Sequence, residues 1–167
     1  RRVLFRSDWS EDYQTLTIYL RKGMKWSDGE PFDADDIMFW YEGIIMNEEL
    51  TPVVRSEYRP GGEIMKMEQV DDVTVRIKLA APYPALLKFF ACLQNGAPHN
   101  YPEHYLRQFH ADYSTDADRL AEAAGFDQWW QNFQSHANYY RNTEDPARPS
   151  IQPWVIDSIT TEGDKNY

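Results

Sequence analysis

The sequence holds one cysteine, Cys92, in 167 residues. An internal disulfide framework is therefore excluded, and with it the small stapled scaffolds that rely on one. Cys92 lies in the mostly apolar run 86–93, where a buried and inert thiol is the expectation. Basic residues are also scarce: 17 Lys and Arg against 27 Asp and Glu leave a net charge of −10. A nucleic-acid partner needs a basic stripe to displace condensed counterions, and the chain has none. No apolar run approaches the ~20 residues that cross a bilayer. With 8 glycines and 10 prolines the chain is neither collagen-like nor disordered throughout.

Aromatic side chains, by contrast, are abundant. Six Trp, 11 Tyr and 8 Phe make up 15% of a chain whose mean hydropathy is only −0.71. They fit either an aromatic-lined binding surface or bulky residues filling a modest core, and composition does not choose.

The chain opens on Arg1-Arg2-Val3-Leu4-Phe5-Arg6-Ser7, a basic-apolar stretch unlike the Asp- and Tyr-rich residues after it, with no starting Met or secretion signal. One reading frame of a common sequencing adapter encodes residues 2–7, so residues 1–7 read as a non-native scar and are set aside from the fold. A genuine edge strand is the alternative. The finish at residue 167 is equally abrupt, and the chain reads as a piece of something larger.

Leu16, Ile18 and Leu20 alternate with polar neighbours, the period of a half-buried strand. Ser27-Asp28-Gly29 supplies a turn. Asp33 is placed to cap a helix over 34–46, with Asp35 and Asp36 against the positive end of its dipole. On that helix Ile37, Trp40, Tyr41, Ile44 and Ile45 share one face, whereas Phe39 and Met46 leave it. Residues 51–63 read as a loop, and 64–70 with 73–79 as a hairpin turning at Asp71-Asp72. Short helices are expected before residue 93 and within 98–110. Beyond Asp116 the positions Phe126, Trp129, Trp130, Phe133, Ala137 and Tyr140 keep to one amphipathic helical period. Residues 141–153 form a proline-rich linker, and 154–160 read as a final strand. Helices and strands mix without βαβ alternation, so the class is α+β.

Catalysis has no visible carrier. Asp35-Asp36 and Asp71-Asp72 are adjacent pairs that do not face one another, and a helix start and a turn account for them. His99, His104 and His110 lack the i, i+4 spacing of a helical metal pair, so no metal is assigned. No nucleophile elbow, phosphate loop, dinucleotide-binding turn or Cys-x-x-Cys pair occurs, and no cofactor is implied.

One block is specific. Residues 16–41 include Leu20, Arg21, Gly23, Trp26, Ser27, Asp28, Gly29, Pro31, Phe32, Ala34 and Asp36 in an order that resembles the family 5 extracellular solute-binding proteins, the peptide- and oligopeptide-type receptors of bacterial ABC importers. Asp33 stands where the family usually has Thr and keeps a capping oxygen. Residues 70–84 and Pro102-Glu103-His104-Tyr105 resemble the family's next segments. Each motif residue has a structural duty: Gly23 and Gly29 permit tight turns, Pro31 stiffens the approach, and Asp33 or Asp36 caps.

The resemblance implies a two-lobed, type II (cluster C) periplasmic-binding-protein-like receptor of which this chain is an incomplete part. Residues 8–153 correspond to the accessory subdomain of the first lobe, with a helical extension over 112–153, and 154–167 to the start of the return into that lobe. It implies a non-catalytic protein, periplasmic or extracellular, with a lipid anchor as one form of attachment, and monomeric when complete. Such a receptor closes on a peptide and delivers it to ABC permease subunits in the membrane. The long Trp/Tyr-rich extension resembles family members that take larger ligands, so an oligosaccharide is the alternative. A carbohydrate-active enzyme or lectin-like module using Trp129-Trp130 as a platform is a second alternative, and a free-standing interaction domain a third. The candidate ligand contacts are Phe39, because it leaves the apolar face, with Trp40 and Tyr41 behind it.

Overall fold

The computed structural model describes residues 5–92, 97–138 and 145–151. Four antiparallel strands form one sheet in the order β1-β2-β4-β3. They are β1 (Phe5–Trp9), β2 (Thr15–Leu20), β3 (Lys66–Asp71) and β4 (Thr74–Lys78). The alternation expected in β2 is present: Leu16, Ile18 and Leu20 are buried and their neighbours half-exposed. In register, Leu16 opposes Ile77 and Ile18 opposes Val75, so one face of the two central strands is wholly apolar. The 73–79 arm pairs with β3 as expected, with a register irregularity between Gln69 and Asp71. The α+β class holds.

Setting residues 1–7 aside from the fold is corrected for residues 5–7. They belong to β1, the edge strand, where Ser7 opposes Ile18 and Trp9 opposes Leu16. Extended backbone along a strand edge needs only ladder hydrogen bonds, so even a basic-apolar text can supply it.

Helix α1 (Ala34–Phe39) begins where its cap places it. The Asp33 carboxylate accepts from the Asp35 N–H at 3.0 Å, and the Asp36 carboxylate accepts from the Asp33 N–H at 3.2 Å, a reciprocal capping box. The Ala34 N–H donates to the Asp72 carbonyl at 2.9 Å, which ties the hairpin turn to the helix start. From Trp40 to Ile45 the helix widens into a π-helical turn, with Met46 N–H bonded to the Tyr41 carbonyl. That widening changes the face. Gly43 turns inward, and a Cβ there would stand 3.2 Å from the Tyr113 ring. Its carbonyl is taken by His110 Nε2 at 2.7 Å.

The loop expected over 51–63 contains two short 3₁₀ turns, Ser56–Tyr58 and Pro60–Gly62. They hold the buried Tyr58 edge-on to Trp40 and Phe89. Next come helix α2 (Leu86–Cys92), α3 (Glu103–Leu106) behind Pro102, α4 (Ala117–Ala123) and α5 (Trp129–Ala137). The single amphipathic period read from Phe126 onward is thus preceded by a separate helix. Gly125, at φ +84°, ends α4, and Gln128 with Gln131 forms a capping box that starts α5. The side chain of Cys92, Tyr140 and the strand expected over 154–160 lie outside the described residues. No helix among the described residues is long and apolar enough to cross a membrane.

Removing the cap oxygen in Asp33→Ala should lower the unfolding free energy by about 1 kcal/mol in urea denaturation. The slope of the transition should stay unchanged.

Candidate functional site

The motif residues converge on one buried carboxylate. Gly23 and Gly29 have φ of +76° and +96°, so the chain reverses tightly on both sides of Trp26. The Gly29 N–H donates to the Trp26 carbonyl, and Pro31 bridges back to Lys25. This reversal folds the Trp26 indole under α1. There its Nε1–H donates to Asp36 Oδ2 at 3.1 Å. Asp36 Oδ1 accepts from the Glu103 N–H at 2.9 Å, across 67 residues of sequence. Asp36 is 3% exposed, and burial pushes its carboxyl up to about 6 even though the Glu103, Asp33 and Trp26 donors favour the charged form.

Asp28 sits at the tip of the same reversal. Its Oδ1 accepts from the Glu30 N–H and its Oδ2 meets His104 Nε2 at 2.7 Å. Partial burial opposes ionisation, but the His104 hydrogen bond and the Glu30 amide outweigh it and hold this carboxyl below its usual range. The motif therefore makes a strand–turn–helix joint clamped to α3, as its residue types imply.

Phe39, Trp40 and Tyr41, the candidate ligand contacts, are arranged as packing residues. Phe39 leaves the Ile37/Trp40 stripe as expected and packs into a second aromatic layer, at the floor of a polar groove. It is 3% exposed, with the Tyr113 ring at 5.2 Å, His110 at 6.1 Å and Phe133 at 6.3 Å. Trp40 is 1% exposed between Tyr58 and Phe90. Tyr41 is half-buried and donates its hydroxyl to the Met65 carbonyl at 3.0 Å. Leaving the stripe pointed to a second packing element for Phe39 as well as to a cleft; helical period alone could not show that residues 110–133 supply that element.

The histidines act separately. His110 is fully buried, donates from Nε2 to the Gly43 carbonyl and accepts the Asp112 N–H at Nδ1. Burial pushes its imidazole down, so it stays neutral with both nitrogens satisfied. His99 is also pushed down by burial and lines an apolar chamber of about 510 Å³ between the sheet and α2, with Ile18, Leu20, Phe32, Ile37 and Phe90. A polar groove of about 490 Å³ is lined by Asp35, Glu42, Glu68, Glu103, Arg107 and Tyr113. No group of three metal-ligating side chains occurs among the described residues. Nor do the paired carboxylates form a catalytic pair: Asp35 accepts from Gln69, Asp36 is the buried clamp, and Asp71 accepts from the Val73 N–H. Trp129, proposed as half of a sugar platform, is 5% exposed and donates its indole N–H to Glu49.

The sequence matches the family described as "Bacterial extracellular solute-binding proteins, family 5 Middle" over residues 3–160. The chain belongs to this family. The family is one of solute-binding proteins and not of enzymes, and its members act outside the cytoplasm. A periplasmic alpha-galactoside-binding protein of Rhizobium meliloti is 35% identical over 107 residues, which is 64% of this chain and 15% of that protein. Among solved structures, an oligopeptide-binding protein OppA superposes on 94% of this chain with a TM-score of 0.78 and 30% identity. The periplasmic binding protein MelB of Agrobacterium fabrum, in complex with stachyose, superposes on 93% with a TM-score of 0.67 and 28% identity. The chain spans 24% and 21% of those two proteins.

Phe39→Ala should lower the unfolding free energy by about 3–5 kcal/mol in thermal or urea denaturation, the cost of an emptied aromatic site. For Asp36, the folded carboxyl near 6 lies above its ordinary 3.8. The folded state then binds more protons than the unfolded chain between those values, and this group's contribution falls as pH rises through that window, by an amount on the order of 2–3 kcal/mol. Asp36→Asn should be the less stable form at pH 4, because its amide N–H groups face donors. The gap to the native chain should narrow by pH 7 in melts across that range.

Proposed function

We propose that this chain is the accessory subdomain of the first lobe of a family 5 receptor, one that captures a solute by lobe closure and hands it to the permease subunits of an ABC importer. The observation that carries the reading is the 94% superposition on OppA at 30% identity, together with the family match over 3–160. The clamped joint at Asp36 supports it: a rigid unit whose motif side chains hold each other is suited to bearing a binding lobe. Residues 112–153 are an extension of that unit, and 154–167 begin the return into the main part of the lobe. Lobe closure needs only that the ligand bind the closed state better than the open one.

The ligand we propose is a peptide. An oligosaccharide is the second reading, favoured by the 35% identity to an alpha-galactoside-binding protein and by the stachyose complex. Ligand contacts come mainly from polypeptide outside this chain. Of the three aromatic candidates here, Tyr41 alone keeps appreciable exposure, so a contribution from Phe39 or Trp40 acts through packing. The complete receptor is a monomer held outside the cytoplasm, with a lipid anchor as one form of attachment.

Calorimetric titration of the complete receptor with a mixture of tri- to pentapeptides and, separately, with stachyose should give micromolar or tighter binding for the peptides alone. Tight stachyose binding without peptide binding would establish the second reading, and binding of neither would remove both.

A further inference from the structure

Residues 145–151, read from sequence as linker, lie across the molecule as a strap with polar anchors at both ends. At one end the Asp145 carboxylate accepts from the Tyr105 hydroxyl at 3.0 Å and meets His136 Nδ1 at 2.7 Å. The His136 ring itself is stacked on Phe109 at 3.8 Å. In the middle, Arg148 donates from Nη2 to the Asn100 carbonyl, and its own N–H donates to the Asp145 carbonyl. At the other end the Ser27 N–H donates to the Ser150 carbonyl at 2.9 Å, and the Ser150 N–H donates to Ser27 Oγ at 3.0 Å. The strap thus joins α3 and α5 to the Ser-Asp-Gly turn.

Its apolar share is small: Pro149 is buried and Ile151 half-buried. The sheet and α1 are held differently, by Leu16, Ile77 and Ala34, each fully buried. Segments with few apolar contacts and exchangeable polar anchors open at lower free energy than the core. We propose that residues 145–151 are a detachable clasp, which opens as one unit while the sheet and α1 stay folded. Closed, it keeps Ile151 packed against the core. Open, it frees both the Ser27 turn and the Tyr105–His136 face. The clasp is independent of which ligand the receptor takes.

Native-state hydrogen exchange on the 167-residue chain tests it. The Ser27 and Ser150 amides should exchange together, at least a hundredfold faster than the Ile18 and Val75 ladder amides, with little dependence on low denaturant. Tyr105→Phe removes an anchor that touches neither serine, and should still speed both serine amides about tenfold while leaving Ile18 unmoved. In the reverse direction Ser27→Ala should speed the Arg148 amide. This second variant decides the matter if Tyr105→Phe does not fold. Exchange of the two serines only together with Ile18, or no transmission from one end to the other in either variant, would overturn the clasp.

Discussion

The Asp36 carboxylate is the constraint on which the rest of this unit depends. Three N–H groups from three separate segments end on its two oxygens: the Trp26 indole, the Asp33 amide at the helix start and the Glu103 amide that opens α3. Local bonds shape each segment but do not set its position relative to the others. The turn around Trp26 is a reversal with two positive-φ glycines, and α3 is one turn long. A short side chain of fixed reach therefore sets the distances between them. Burying a charge-capable group is costly unless it is hydrogen-bonded, and here the Trp26 and Glu103 donors fix tertiary contacts while the Asp33 amide closes the helix cap. Carbon packing is organised around it. With Trp26 pinned, its ring lies edge-on to Phe32, and Phe32 and Ile37 close over the sheet.

Much of this was legible from residue order. The alternation of Leu16, Ile18 and Leu20, the Asp33 cap, and the hairpin at Asp71-Asp72 are local signals, because strand period, cap chemistry and turn chemistry act within a few residues. The family block at 16–41 was legible for the same reason: its residues fill local backbone duties. What stayed hidden is non-local. Tyr58 looked like loop text because its burial depends on Trp40 and Phe89 arriving from elsewhere. The three-way role of Asp36 had one local signal, the capping box with Asp33. The Glu103 partner, 67 residues on, had none. Edge strand β1 could be read only as an alternative to a scar, since ladder pairing asks little of side chains.

The aromatic abundance resolves in favour of packing for the residues best placed to be a binding surface. Phe39, Trp40, Trp129 and Phe133 meet edge-on or tilted partners at ring separations of 4.6–6.3 Å, the geometry that ring quadrupoles favour in a core. Large rings let a chain with many charges reach a filled interior using few residues. Neutral His110 completes that layer, its ring between Trp129, Tyr113 and Phe133 and both nitrogens satisfied by backbone.

The π-helical turn at Trp40–Ile45 has a consequence for how such a unit can diversify. A helix that is narrow in its first half and wide in its second advances its faces at two different angular rates. One uninterrupted helix can thus address the sheet through Ile37 and the aromatic layer through Phe39 and Gly43. Gain or loss of a single residue in the wide half would turn Gly43 away from His110 and Tyr113 while the narrow half, seated on the sheet, kept its orientation.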